Sequence, residues 1–271
     1  MIRFATVLAA ALMLAPSIAS PPAPEAPPRN PFLDGGRGAG GIDVAFTMPD
    51  VDVELMLMAD VSGSMTASDL ALQRAGYLAA LRSPQVAAAV ADGALGRIAI
   101  AYGEFAGDVE PVLVVPWGVV GDAAGLAAFA ARLEAAPDRD PSLASGRATQ
   151  ETSVGRGIAF AHGQLLGNGL SAERAVIDVS GDGTDRGNAV RVAAARDRAV
   201  ASGITINGLP ILSAATEVEL EDWYREHVIG GGGAFLVAVD GFGQFGEAVR
   251  RKPVLEIAGR PVEQRFAGAR P

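Results

Sequence analysis

The sequence predicts a doubly wound α/β domain with a mostly parallel central sheet, one antiparallel edge strand and helices on both faces. Short apolar runs of strand length alternate along the chain with stretches whose apolar residues recur at helical spacing. The runs end in turns rich in Gly, Asp and Ser. A chain of 271 residues that is 49% hydrophobic and 20% charged, with a mean hydropathy of +0.27, is also long and apolar enough to close a substantial core.

Taken in order, Val53–Ala59 is a nearly continuous apolar run, the pattern of a strand covered on both faces. Leu70, Ala71, Arg74, Tyr77, Leu78 and Leu81 follow at helical spacing behind the candidate caps Thr66 and Ser68. Arg97–Phe105 and Val112–Val115 read as strands joined by a turn at Gly107-Asp108, a hairpin that supplies the antiparallel edge. Helices over Asp122–Ala135, Val154–Leu166 and Asn188–Ala201 then interleave with strands over Ala175–Ser180 and Ile204–Ile211. Helices Glu217–His227 and Phe242–Arg251 close the chain around a short strand, Ala234–Val239. The run Gly230 to Gly233 before that strand lacks a following Lys-Ser/Thr and opens no helix, so it reads as a loop rather than a phosphate cradle. Without an internal repeat or a second core, residues 42–259 form one predicted domain and 260–271 a tail.

The first residues read as a targeting signal. Arg3 is followed by an apolar run from Phe4 to Ala15 and by Ser17-Ile18-Ala19, whose small residues fit a signal-peptidase cut after Ala19. The run is shorter than the ~20 residues a bilayer-spanning helix needs. No cysteine follows the cut to carry a lipid, so the mature chain is expected to be periplasmic or secreted, with no membrane insertion. Residues 20–41 hold six prolines between Pro21 and Pro31 and five glycines between Gly35 and Gly41, the composition of a tether.

Composition narrows the chemistry. A net charge of -9 and a pI near 4.8 are the wrong sign for gripping nucleic acid or an anionic membrane. Zero cysteines exclude disulfides, thiolate metal sites and cysteine nucleophiles, and His162 and His227 are the only histidines. Lys252 is the only lysine.

What remains is oxygen chemistry. Asp60-Val61-Ser62-Gly63-Ser64 directly follows the first strand, at the carboxyl edge where doubly wound folds bind ligands. An extended start sends Asp60, Ser62 and Ser64 to one side, and Gly63 permits the turn that lets their oxygens converge. Helix capping would need one such residue, not three. Thr152, just before the helix at Val154, and Asp182, just past the strand ending at Ser180, fall at the same edge. These hard donors suit a divalent cation, Mg²⁺ first, with Ca²⁺ or Mn²⁺ as alternatives.

Asp60-x-Ser62-x-Ser64, Thr152 and Asp182-Gly183 together resemble the metal-ion-dependent adhesion site of von Willebrand factor type A domains in identity, order and strand context. The chain is also similar, over Asp52 to Gly259, to a bacterial family of signal-bearing von Willebrand A-like proteins of unknown function. The segments that carry this likeness are Leu72-Gln73-Arg74, residues 152–156, residues 176–183 and residues 203–210. The resemblance implies that Ser62, Ser64 and sometimes Thr152 bind the metal directly, with Asp60 and Asp182 often acting through water.

A shell rich in neutral hydroxyls leaves a cation's charge poorly compensated, so a partner's carboxylate can complete it. The expected function is therefore a non-enzymatic, cation-dependent protein-binding module of the cell envelope. The alternative is a metal-dependent hydrolase for phosphoryl groups, with Asp60 as nucleophile and Asp182 as metal ligand. It is disfavoured because Ser62 stands where a second carboxylate would be expected and no lysine lies near the motifs.

Among other residues, Asp178 interrupts an apolar strand and needs a partner, for which Arg156 is a candidate; Arg156 could equally face the ligand. Glu104 and Asp108 near a strand end could face the site or serve as edge charges. His162 lies too far along its helix to reach the metal, and Trp117 and Trp223 read as packing residues.

Overall fold

The computed structural model describes residues 50–107, 109–137, 152–185, 188–212, 217–259 and 264–266. The segments read as signal and tether, and Asp108, lie outside the described residues. The chain runs through β1 (Asp50–Asp60), α1 (Ala67–Leu81), α2 (Pro84–Ala91), β2 (Ile98–Phe105), β3 (Val112–Val120), α3 (Ala123–Ala135), α4 (Val154–Gly167) and β4 (Ser171–Gly181). It continues through α5 (Ala189–Ala201), β5 (Ile204–Pro210), α6 (Glu217–Trp223), β6 (Val237–Val239), α7 (Phe242–Ala258) and β7 (Gln264–Phe266). The main sheet has the order β3-β2-β1-β4-β5, parallel except for β3, which pairs antiparallel with β2 at one edge. This is the predicted doubly wound arrangement.

Strand alternation divides the interior in two. Val53, Leu55, Leu57 and Val176 pack with Tyr77 of α1, Phe129 of α3 and Phe245 of α7 on one face. Met56, Met58, Ile177 and Val179 pack with Ile158 of α4, Val192 of α5 and Tyr224 on the other. The strand β1 is buried from Val51 to Asp60 on both faces, as its continuous apolar run requires.

Several boundaries differ from expectation, each for a local reason. Helix α2 was not foreseen, although Ser83 caps it by accepting from Val86 N at 3.2 Å and Pro84 occupies its first turn. Helix α7 runs on past Arg251 through Pro253 to Ala258, and Arg174 closes its end by donating to the Glu256 and Ile257 carbonyls at 2.8 and 2.5 Å. The expected helix Glu217–His227 changes at Trp223 into a π-helical turn, Tyr224–Val228. The expected strand Ala234–Val239 narrows to β6, which pairs with β7 inside the segment read as a tail.

The partner of Asp178 is Lys252 and not the candidate Arg156. Asp178 faces the α1/α7 layer, where Lys252 Nζ donates to its Oδ1 and, at 2.6 Å, to Glu256 Oε1. Arg156 belongs to α4 on the opposite face and pairs instead with the exposed Glu110. Asn207 completes the cluster by donating to Glu256 Oε1 at 3.1 Å and accepting from Phe235 N at 3.0 Å, while Lys252 Nζ lies 5.3 Å from the Phe235 ring centre. Beside Asp178 on the same face, Ser180 Oγ sits 2.8 Å from Tyr77 Oη and accepts from Gln73 Nε2 at 3.3 Å.

Removing one member of a buried charge pair costs about 3–5 kcal/mol, because the survivor stays buried and unpaired. Lys252→Met is therefore expected to lower unfolding stability by about that amount, and urea titration measures it. The cluster also sets a pH dependence. Burial first, and the Asp178 charge next, push the Glu256 carboxyl from 4.5 up to about 7, and burial pushes Asp178 up as well. The folded chain then keeps protons that the unfolded chain releases, so stability declines as pH rises from near 4.5 to about 7. The urea midpoint is expected to be lower at about pH 8 than at about pH 5, with a smaller difference in Glu256→Gln.

Candidate metal-ion site

The site assembles where β1 and β4 end side by side, in register from Asp50↔Ser171 to Ala59↔Ser180. Met56 and Met58 of β1 face the α4 layer, and Asp60 continues that alternation at the carboxyl edge. Its Oδ1 accepts from Ser62 N at 2.8 Å, which bends the chain back over the strand end. The next residues are not spent on helix capping. Thr66 caps α1 by accepting from Asp69 N at 3.2 Å, while Asp69 Oδ2 accepts from Thr66 N at 2.9 Å. Ser62 and Ser64 are thereby left to each other and to the neighbouring loops.

Ser62 Oγ lies 3.1 Å from both Ser64 Oγ and Thr152 Oγ1. Ser64 Oγ donates to Asp182 Oδ1 at 2.8 Å. Asp60, Ser62 and Thr152 are buried, Asp182 is intermediate and Ser64 is exposed, so the cluster opens to solvent on the Ser64 side. The structure thus brings together the five residues that the sequence singles out.

Two carboxylates share the site, and both are held above the ordinary carboxylate range. Burial, and then the Asp182 charge, push the Asp60 carboxyl up to about 7 against the opposing effect of Ser62 and Thr152. Burial raises Asp182 too, with Asp69 adding to it and the Ser64 bond opposing it. Among the described residues no three His, Asp or Glu side chains gather as metal ligands. A cation here would rest on hydroxyls joined to two carboxylates. The donors fit such an ion, and Gly183 leaves them room: a Cβ there would come within 2.7 Å of Thr152 Oγ1.

The other candidates fall elsewhere. Glu104 turns toward α1 and bonds Arg74 and Tyr102 at 3.1 and 3.3 Å. His162 bonds Ser202, which caps the end of α5, at 2.9 Å. Gly230 is held to Ile206 by backbone bonds in both directions, consistent with a loop. Trp223 packs edge-on against Tyr224 and His227. Two residues were missed. Asp185 accepts from Gly155 N at 3.2 Å and so ties the loop after β4 to the start of α4, where Ser153 makes no side-chain cap. As a second acid in the run 180–185, after Asp182, it was visible in principle. Tyr224, beneath Asp60, had no local signal.

The fold is that of a von Willebrand factor type A domain. It is similar to the pilus adhesin SpaC from Lactobacillus rhamnosus GG at 13% identity and a TM-score of 0.55, over 78% of this chain and 31% of that one. Proximal thread matrix protein 1 from the mussel byssus is similar at 13% identity and a TM-score of 0.54, over 78% and 49%. The von Willebrand domain of the type V pili tip protein Mfa5 from Porphyromonas gingivalis matches at 11% identity and a TM-score of 0.52, over 77% and 96%. The chain thus spans about a third of SpaC and half of the mussel protein. No curated protein matches its sequence. A family model matches residues 50–261, and the chain accordingly belongs to the family described as "Protein of unknown function (DUF1194)".

Proposed function

We propose that the protein is a non-enzymatic binding module that captures an acidic group of a protein partner through a divalent cation, Mg²⁺ in the first instance, held by Asp60, Ser62, Ser64, Thr152 and Asp182. The observation that carries this is the hydroxyl hub. Ser62 Oγ stands 3.1 Å from two further hydroxyl oxygens, with the Asp60 and Asp182 carboxylates at its margins and Ser64 exposed. A bound divalent cation supplies an electrophilic position to which a carboxylate can add. Ser62, Ser64 and Thr152 would contribute neutral donors that leave this charge in excess. Asp60 and Asp182 would balance part of it and orient the hydroxyls. The wholly buried Asp60 is poorly placed to attack a substrate, which weighs against the hydrolase alternative.

Similar folds in a pilus adhesin and a pilus tip protein, and a zinc-occupied form of this motif in the mussel protein, support the reading. Among the described residues no helix is long and apolar enough to cross a membrane. With the signal read at the N-terminus, the proposed setting is the periplasm or the cell exterior.

A ligand that binds only the folded state raises its stability by mass action. Mg²⁺, Mn²⁺ or Ca²⁺ at about millimolar concentration is expected to raise the Tm of the wild type. Ser64→Ala should lose that rise while unfolding in chelator within about 1 kcal/mol of wild type. Calorimetric melts of both proteins check this; unchanged melts of the wild type with all three metals would overturn the assignment. Export predicts a mature chain that begins near Ser20. An intact mass of exported protein that still included Met1 to Ala19 would contradict it.

A further inference from the structure

Two buried oxygens beneath the site have no hydrogen-bond partner among the described residues: Asp60 Oδ2 and Tyr224 Oη. They belong to elements far apart in sequence, yet both crowd the same glycine. A Cβ on Gly181, at the end of β4, would lie 2.9 Å from Asp60 Oδ2 and 2.8 Å from Tyr224 Oη. A second glycine clears the path of the ring, since a Cβ on Gly208 of β5 would lie 3.0 Å from Tyr224 Cδ1. Val179 of β4 pairs with Gly208, and Gly181 with Pro210, so the two glycines stand on neighbouring strands along the edge that the tyrosine crosses.

Tyr224 is fully buried and opens the π-helical turn Tyr224–Val228, in which Ile229 N donates to the Tyr224 carbonyl at 3.0 Å. Such turns are rare and recur at functional sites. Leaving two buried polar atoms unpaired against one glycine is costly, and a water that accepts from one and donates to the other removes both costs at once. Burial, and next the Asp60 and Asp182 charges, hold the Tyr224 hydroxyl well above a phenol's ordinary range, so it keeps the proton it would donate.

We infer that Tyr224 is a positioning residue for the cation site, its hydroxyl joined to Asp60 Oδ2 through one ordered water. The inference rests on the cation-binding reading for its function but not for the bridge itself. Asp60 Oδ1 is held by Ser62 N on the loop side. With Oδ2 held from beneath, both oxygens of the carboxylate would be anchored and its plane fixed relative to Ser62 and Thr152. Anchors behind metal ligands typically change metal affinity 10–100-fold when removed.

Tyr224→Phe keeps the ring and deletes the oxygen. Urea unfolding in EDTA of the wild type, Tyr224→Phe, Asp60→Ala and the double variant tests the bridge without any metal. The expected result is that Tyr224→Phe lowers the midpoint in the wild type and much less in the Asp60→Ala background; additive shifts would overturn the inference. Titration calorimetry with Mn²⁺ tests the positioning role, with Tyr224→Phe expected to raise Kd roughly tenfold. Mn²⁺ should also perturb the near-ultraviolet tyrosine absorbance of the wild type but not of Tyr224→Phe, because Tyr77 and Tyr102 lie on the other face of the sheet. An unchanged Kd would overturn the positioning role. Should the wild type bind no Mn²⁺, the cation reading falls, and the metal-free cycle still decides whether Tyr224 holds Asp60. Should Asp60→Ala not fold, the Mn²⁺ affinity of Tyr224→Phe decides.

Discussion

A carboxylate in the middle of a buried parallel strand has no water to turn to, and Asp178 occupies that position in β4. The ammonium of Lys252 answers it. This lysine is fully buried, one helical turn from Glu256, and the one pair of positions binds α7 to the sheet at a defined rotation and height. Arg174, from the start of the same strand, holds the last carbonyls of α7. Tyr77 and Gln73 of α1 meet Ser180 two residues beyond Asp178. The helical layer on this face is thus keyed to the sheet by directional polar contacts set in an apolar interior, where a shift of one residue would leave charges unpaired.

The same alternation that commits Asp178 and Ser180 to that layer frees the strand ends for other work. Asp60 leaves β1 toward the opposite layer, where the loop before α4 brings Thr152 and the π-helical turn after α6 brings Tyr224. Parallel strands that end together deliver several loops to one edge, which is why residues 90 and 118 positions apart can share hydrogen bonds there. The local chemistry then separates two jobs that Asp, Ser and Thr can each perform. Thr66 and Asp69 close the first turn of α1 and Asp185 serves that of α4, so the Ser62, Ser64 and Thr152 hydroxyls are left facing one another.

Much of this was legible in the chain. The two-sided burial of β1 follows from an apolar run without alternation, and the motif from Asp60 to Ser64 announces itself by its place after that run. Helix continuity was harder to read. Pro253 looks like a stop, yet the carbonyls beyond it are satisfied by Arg174, a partner 82 positions away. Similarly, the segment 264–266 has no strand signal of its own, and pairing with β6 makes it one.

The sequence by itself determined the alternation of strands and helices apart from α2 and β7, the antiparallel edge and the five oxygen-bearing residues at the carboxyl edge, because periodicity and short motifs are local properties of a chain. Only the tertiary structure decided who answers whom. Arg156 and Lys252 are both cations, and nothing local ranks them as partners for Asp178; the face of the sheet on which each helix packs does. Tyr224 reaches the underside of Asp60 because a π-helical turn and two glycines on adjacent strands admit its ring. Facing and depth arise from packing between elements distant in sequence, and no window of residues encodes them.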